Sequence, residues 1–310
     1  MSEKVNFVEQ YGPWALVVGA SQGLGAAWAE ECAKRGQNVA ICARTLSKLD
    51  AVAADLRKKY GVETRTFSID ISAEDCPEKI YENVKDLDLG TLIYNAAIET
   101  GGYFIKVDEK YHRQQVIGNA MNPMVLTYKI ARDMAKRHRG CILLISSMAG
   151  VVGTASQPSY GAAKSFMAIL GESLWYEMQK YGVYAAGVTV GSVATPNYVE
   201  QQAEQGTNME VGESYEYDDL IEGLEEFNKA VMDAKPHTPA DVAAYVLDHV
   251  GTGPRLYTHD EDEAAARAYD AMPRKTGVTF MSRNTDKYFS NYSDFNAPDA
   301  DEFVQIKEKI

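Results

Sequence analysis

The sequence predicts an α/β fold built on a doubly wound parallel sheet. Three observations carry this. Short, continuous apolar runs alternate with stretches of helical periodicity through the first two-thirds of the chain, the pattern of strands covered by helices on both faces. Gly36, Gly61 and Gly182 each stand just past such a helical stretch, where helices commonly end in a left-handed residue. A glycine-rich turn, GASQGLG, joins the first apolar run, WALVV, to the first long helix.

Taken in order, the strands are expected at 14–18, 38–43, 63–69, 91–94, 140–146 and 183–190, with a weaker seventh at 255–258. The runs are short and rich in β-branched residues, which suits buried strands. Helices are expected at 24–35, 45–60, 75–84, 109–137 and 159–181, the fourth interrupted around Asn119–Pro123. Thr238 opens a further helix, TPADVAAYVLDHV, with Pro239 in its first turn and Asp241 near the positive end of its dipole. Residues 1–260 are read as one domain carrying an insert at 196–237, and 261–310 as an extension packed on or beside it. The polar, tyrosine-rich extension shows no pattern that assigns its elements. The insert holds ten carboxylates between Glu200 and Glu226, and no Lys or Arg occurs from Tyr181 through Asn228. It is expected to form a solvated, partly helical lid.

Composition excludes several classes. A net charge of −13 argues against a nucleic-acid binder, which needs a basic surface. No run approaches the ~20 apolar residues of a membrane span, and MSEKVNFVEQ is too charged for a signal peptide. The cysteines, Cys32, Cys42, Cys76 and Cys141, have no metal-ligand spacing. Buried free thiols in a reducing, cytoplasmic setting are expected, with no metal site.

Gly19, Gly23 and Gly25 follow a strand and open a helix. Backbone amides there can approach a pyrophosphate, whose charge the helix dipole favours. Where a carboxylate at the end of the second strand would select NAD, this chain has Ala43 and then Arg44. An arginine can pair with a 2′-phosphate, so NADP(H) is expected over NAD(H). Asp70, after the third strand, can accept from an adenine amino group or cap the strand end.

Tyr160 and Lys164 stand four residues apart on one helix face. A nearby ammonium favours the phenolate, making tyrosine a usable acid/base. Ser147, closing the run CILLISS, brings a hydroxyl to a strand's carboxyl end, where ligands sit in this architecture. Asn119 lies in the suspected helix break and can serve a proton path to Lys164 or simply form a turn.

Together these residues resemble the short-chain dehydrogenase/reductase family, from about Trp14 to Tyr257. The family's TGxxxGxG reads VGASQGLG here, its NNAG reads YNAA, and its serine and YxxxK are Ser147 and Tyr160–Lys164. The resemblance implies a Rossmann fold with strand order 3-2-1-4-5-6-7. It also implies that Tyr160 is the acid/base, Lys164 binds the nicotinamide ribose, Ser147 orients the substrate oxygen, and Asn119 supports the relay. The implied cofactor contacts are Gly19, Ser21, Gly23, Leu24, Gly25, Arg44, Asp70, Ile71, Asn95, Ala96, Val193 and Thr195, together with Tyr160 and Lys164. Val151, Gln157 and Tyr198 flank the implied substrate cleft. Val190 replaces the family's proline after the sixth strand, which is expected to loosen that wall.

The lead EQYGPWALVVGAS resembles the branch holding hydroxysteroid dehydrogenases and long-chain 3-ketoacyl reductases. The apolar residues of the insert suit a bulky hydrophobic alcohol or ketone, such as a hydroxysteroid or bile acid. Alternatives are a 3-oxoacyl carrier or coenzyme A reductase docking at the basic stretch KIARDMAKRHR, a general carbonyl reductase, or a nonenzymatic NADP sensor. Apolar residues around the 159–181 helix (Phe166, Ile169, Leu170, Leu174, Trp175) point to a homodimer or homotetramer.

Overall fold

A computed structural model describes residues 6–195 and 236–289. Nearly all of the acidic insert, including Tyr198, and residues beyond 289 lie outside the described part.

Seven strands form one sheet: β1 Trp14–Val18, β2 Asn38–Ala43, β3 Thr64–Ser68, β4 Leu89–Tyr94, β5 Gly140–Ile145, β6 Val183–Thr189 and β7 Arg255–Tyr257. Their order is 3-2-1-4-5-6-7 and every pairing is parallel. The sequence-based strand positions agree to within two residues. Alternation along each strand divides the core in two. Ala15, Val17, Ile41, Ile93 and Leu143 face one layer, with Trp28, Leu49, Leu56 and Val246 packed on them. Leu16, Val18, Cys42, Leu92 and Leu144 face the other, with Ile80, Leu126, Met134 and Met167. Sheet residues buried on both faces explain why the strands read as unbroken apolar runs.

The helices of the first layer are α2 Gly23–Lys34, α3 Leu46–Tyr60 and α8 Pro239–Asp248; those of the second are α4 Cys76–Val84, α6 Asn122–Arg137 and α7 Pro158–Met178. Two shorter helices, α1 Phe7–Gln10 and α5 Glu109–Val116, precede β1 and α6. Thr238 caps α8, its hydroxyl accepting from the Asp241 amide at 3.1 Å. All four cysteines are free and buried.

The break expected near Asn119 is a widening of the helix and not an interruption. Ile117–Met121 form a π-helical turn between α5 and α6, with Pro123 in the first turn of α6. Turns of this kind are rare and mark functional sites.

The described part of the extension is helical, which its composition did not suggest. Asp260–Ala271 form α9 and Arg274–Phe289 form α10. Four successive acids open α9, which its dipole favours, but the segment lacks a broad apolar stripe and so gives little periodic signal. Tyr269, Met272 and Phe280 bury themselves against Val152, with Met148 and Val151 alongside. The Ala155 amide donates to Ser282 Oγ at 2.9 Å, and Arg274 reaches the Val151 carbonyl. The extension therefore backs the loop that follows Ser147.

Candidate active site

The carboxyl ends of β1, β4, β5 and β6 present the candidate residues along one edge of the sheet. At the end of β1, the backbone turns at Gly19 with φ +88°. A Cβ on Gly25 would lie 1.8 Å from the Gly19 carbonyl oxygen, so only glycine lets α2 start this close to the turn. Gln22, at the N-cap of α2, makes no side-chain capping bond, and the first amides of such a helix suit an anion. Asn95 fastens the arrangement: Nδ2 donates to the Gly19 carbonyl at 3.2 Å, and Oδ1 accepts from the buried Trp28 indole at 3.1 Å. The turn, the helix start and the close approach of Ala96 to Gly19 fit a dinucleotide's pyrophosphate.

Arg44 is exposed just past β2, and its carbonyl accepts from Ser68. Asp70 forms the turn-type cap: Oδ1 accepts from the Ser72 amide at 2.9 Å and from its hydroxyl at 2.8 Å. The amide bond, the hydroxyl and the charge of Arg44 hold its carboxyl below the ordinary range, against the opposing pull of burial. Ile71 is buried, and its carbonyl accepts from Asn122 Nδ2 at 2.8 Å.

β5 leads into Ser147, whose Oγ accepts from the Ala149 amide at 3.2 Å and caps a single turn. α7 then returns across the sheet. A Cβ on Gly171 would meet the Gly187 nitrogen at 2.2 Å; glycine here lets α7 lie directly on β6. That close packing carries Lys164 into the interior, where it is 4% exposed. Its ammonium donates to the Ile145 carbonyl at 2.9 Å and sits 5.5 Å from the Tyr160 ring centre. Ser146 Oγ in turn donates to the Lys164 carbonyl at 2.7 Å. Ser147 lies close enough to Tyr160 for its side chain to favour ionisation of the phenol. Ser147, Tyr160 and Lys164 thus come together as the spacing suggested.

Burial sets the electrostatics. It pulls Lys164 down to about 8, against the charge of Glu99. It pushes the Tyr160 phenol up, helped by Glu99 and opposed by Ser147.

Asn119 is buried and occupied. Its Nδ2 donates to the Ile98 carbonyl at 2.7 Å, and its Oδ1 accepts from the Ile98 amide at 2.8 Å. Tyr94, where the family motif has asparagine, donates its buried hydroxyl to the Gly118 carbonyl at 3.0 Å and so pins the π turn. Neither contact was visible in the sequence, because each joins residues more than twenty positions apart.

Glu99 was also missed. It follows the YNAA segment with no patterned neighbour, yet its carboxylate accepts from Gln157 Nε2 and its charge acts on both Tyr160 and Lys164. Glu99 is exposed, and the protein packed around it pushes its carboxyl up, against Lys164 and Gln157.

The wall expected to loosen at Val190 is pinned. The Val190 carbonyl accepts from the Met148 amide at 2.9 Å, and the Gly191 amide donates to Thr258 Oγ1 at 3.0 Å. Val193 is buried and bridges to His237, which stacks on His259 at 3.4 Å. Thr195 is half-buried beyond it, and Ser21 and Leu24 lie in and just after the glycine turn. Val151 is half-buried against the extension.

A family model described as short chain dehydrogenase matches residues 13–206. A 7β-hydroxysteroid dehydrogenase of Clostridium sardiniense is 30% identical over 225 residues, 73% of this chain and 86% of that one. A human very-long-chain 3-oxoacyl-CoA reductase is 32% identical over 188 residues, 59% of this chain and 60% of that one. Among solved structures, one from a study of 7β-hydroxysteroid dehydrogenase stereoselectivity has a TM-score of 0.76 at 24% identity, covering 89% of this chain and 99% of its own. A Sphingobium yanoikuyae short-chain dehydrogenase in complex with NADPH has a TM-score of 0.67 at 23% identity, covering 83% of this chain and 92% of its own. The chain belongs to the short-chain dehydrogenase family and is an NAD(P)-dependent oxidoreductase.

Proposed function

We propose that the protein interconverts a secondary alcohol and a ketone on a bulky hydrophobic substrate of the hydroxysteroid class, using NADP(H). The observation that carries this reading is the Ser147–Tyr160–Lys164 cluster at the end of β5. Bound NADP(H) supplies the hydride donor or acceptor. Ser147 holds the substrate oxygen by its hydroxyl. In reduction, the phenol of Tyr160 gives its proton to that oxygen; in oxidation it takes the proton back. Burial keeps Tyr160 protonated in the unliganded chain, so the pair rests in its proton-donating form. Lys164, held by Ile145, places a positive charge beside the phenol and favours its ionisation.

Arg44 after a carboxylate-free β2 supports NADP over NAD. For the substrate, support comes from the half-buried apolar side chains of Met148 and Val151, backed by Val152 and the extension, and from the relatives named 7β-hydroxysteroid dehydrogenases. A 3-oxoacyl reductase is the second reading, favoured by relatives named for that activity. Its docking surface is weak. Lys129 pairs with Glu78, Lys136 with Asp133, and Arg137 and Arg139 with Asp88, so the basic stretch is largely neutralised.

Met121 of the π turn, Met124 and Tyr128 of α6 and Phe166 and Ile169 of α7 are exposed, which supports self-association; Leu170 and Leu174 instead pack on the core. No described helix is long and apolar enough to cross a membrane.

The test is initial-rate turnover with NADP⁺ and, separately, NAD⁺ across hydroxysteroids, bile acids and 3-hydroxyacyl thioesters. Turnover of hydroxysteroids with NADP⁺ supports the proposal. Turnover of thioesters alone replaces it with the second reading.

A further inference from the structure

The fold delivers a carboxylate to the reacting groups that the Ser147–Tyr160–Lys164 chemistry does not need. Asn119 grips both the amide and the carbonyl of Ile98, which fixes the backbone immediately before Glu99. Shortly after it, the Gly102 amide donates to the Ser156 carbonyl at 2.8 Å. The loop carrying Glu99 is thereby tied to the loop entering α7. Between these two fastenings Gln157, itself 6% exposed, donates Nε2 to Glu99 Oε1. Among the described residues no donor meets the other carboxylate oxygen, and water reaches the side chain. The charge is close enough to act on both Tyr160 and Lys164.

A carboxylate fixed in this way is an acceptor and a charge held against the N-cap of the helix that carries Tyr160. We propose that Glu99 determines which substrates react: its second oxygen accepts a hydrogen bond from a substrate hydroxyl near the reacting carbon, and its charge rejects anionic groups there. This rests on the reading of the protein as a reductase of bulky ketones and narrows it to substrates carrying a hydrogen-bond donor beside the carbonyl. Charges elsewhere on a long substrate, beyond the reach of Glu99, are tolerated because solvent screens them.

The measurement is kcat/KM with NADPH for three steroid ketones, identical except for a hydroxyl, a hydrogen or a carboxylate on the same ring position near the carbonyl. For the unaltered protein the hydroxyl compound is expected to exceed the hydrogen compound by about tenfold, and the carboxylate to fall about a hundredfold below it. Glu99→Gln, which keeps the shape and loses the charge, is expected to raise the carboxylate compound at least about tenfold relative to the hydrogen compound. Glu99→Asp is expected to keep the rejection. A merely structural role would scale all three substrates together, so a Glu99→Gln protein with unchanged ratios overturns the inference while leaving the proposed function intact. A wild-type protein that reduces none of the three overturns both.

Discussion

Lys164 lies beneath Tyr160 with its ammonium 5.5 Å from the ring centre, and it is anchored to the Ile145 carbonyl at 2.9 Å. Two titratable groups held this close are expected to titrate as a pair. Burial pulls Lys164 down to about 8 while pushing the phenol up. The first proton is therefore expected to leave Lys164 near 8, and a pair that has lost it can accept the proton of an alcohol. In oxidation, kcat/KM is expected to rise with pH through an inflection near this value. In Lys164→Met only the raised phenol remains, and the inflection should move above about 10. Glu99 favours the protonated pair, since its negative charge raises both members. Glu99→Gln is expected to move the inflection down; an upward shift would refute that coupling.

Arg44 stands exposed where the second strand ends without a carboxylate. Replacing it with alanine is expected to weaken NADPH binding by about 1–3 kcal/mol, the range of a charge-assisted hydrogen bond, and NADH binding little. Isothermal titration of both cofactors measures this. Equal losses would remove Arg44 as the discriminator.

Tyr94 secures the π turn through the Gly118 carbonyl, and its ring is 1% exposed. Tyr94→Phe keeps the packing and orphans a buried acceptor. The expected cost is about 1–3 kcal/mol in a denaturant titration. A loss below about 0.5 kcal/mol would mean that the carbonyl finds another donor.

Much of this arrangement was legible in the sequence and some of it was not, for identifiable reasons. Seven strands and their helices follow from local periodicity. Gly19, Ser147, Tyr160 and Lys164 announce themselves by short spacings beside strand ends. Glu99, Tyr94 and Gln157 act through contacts made only after the chain has folded, from 24 residues apart for Tyr94 and Gly118 to 58 for Gln157 and Glu99. The extension was unreadable for a different reason: α9 is polar and alanine-rich, and Tyr269, Phe280 and Met272 make sense only once Val152 is beside them.

The contact between the extension and the loop after Ser147 has its own test. Phe280 is 7% exposed against Val152, Tyr269 and Met272. Phe280→Ala is expected to cost about 3–5 kcal/mol of local packing, read as faster amide exchange in α10 and in the 151–157 loop. Because that loop borders Ser147, KM for a bulky ketone should rise more than kcat falls. Unchanged exchange in the loop would show that α10 does not support it.

The most direct test of the central claim is Tyr160→Phe, assayed in parallel for NADPH binding by fluorescence and for ketone reduction. The account predicts binding close to that of the wild type, with turnover reduced by at least about a thousandfold, since the variant lacks only the proton donor. Substantial residual reduction by a protein that still binds NADPH would mean that another group supplies the proton, and would contradict the assignment of Tyr160 as the acid.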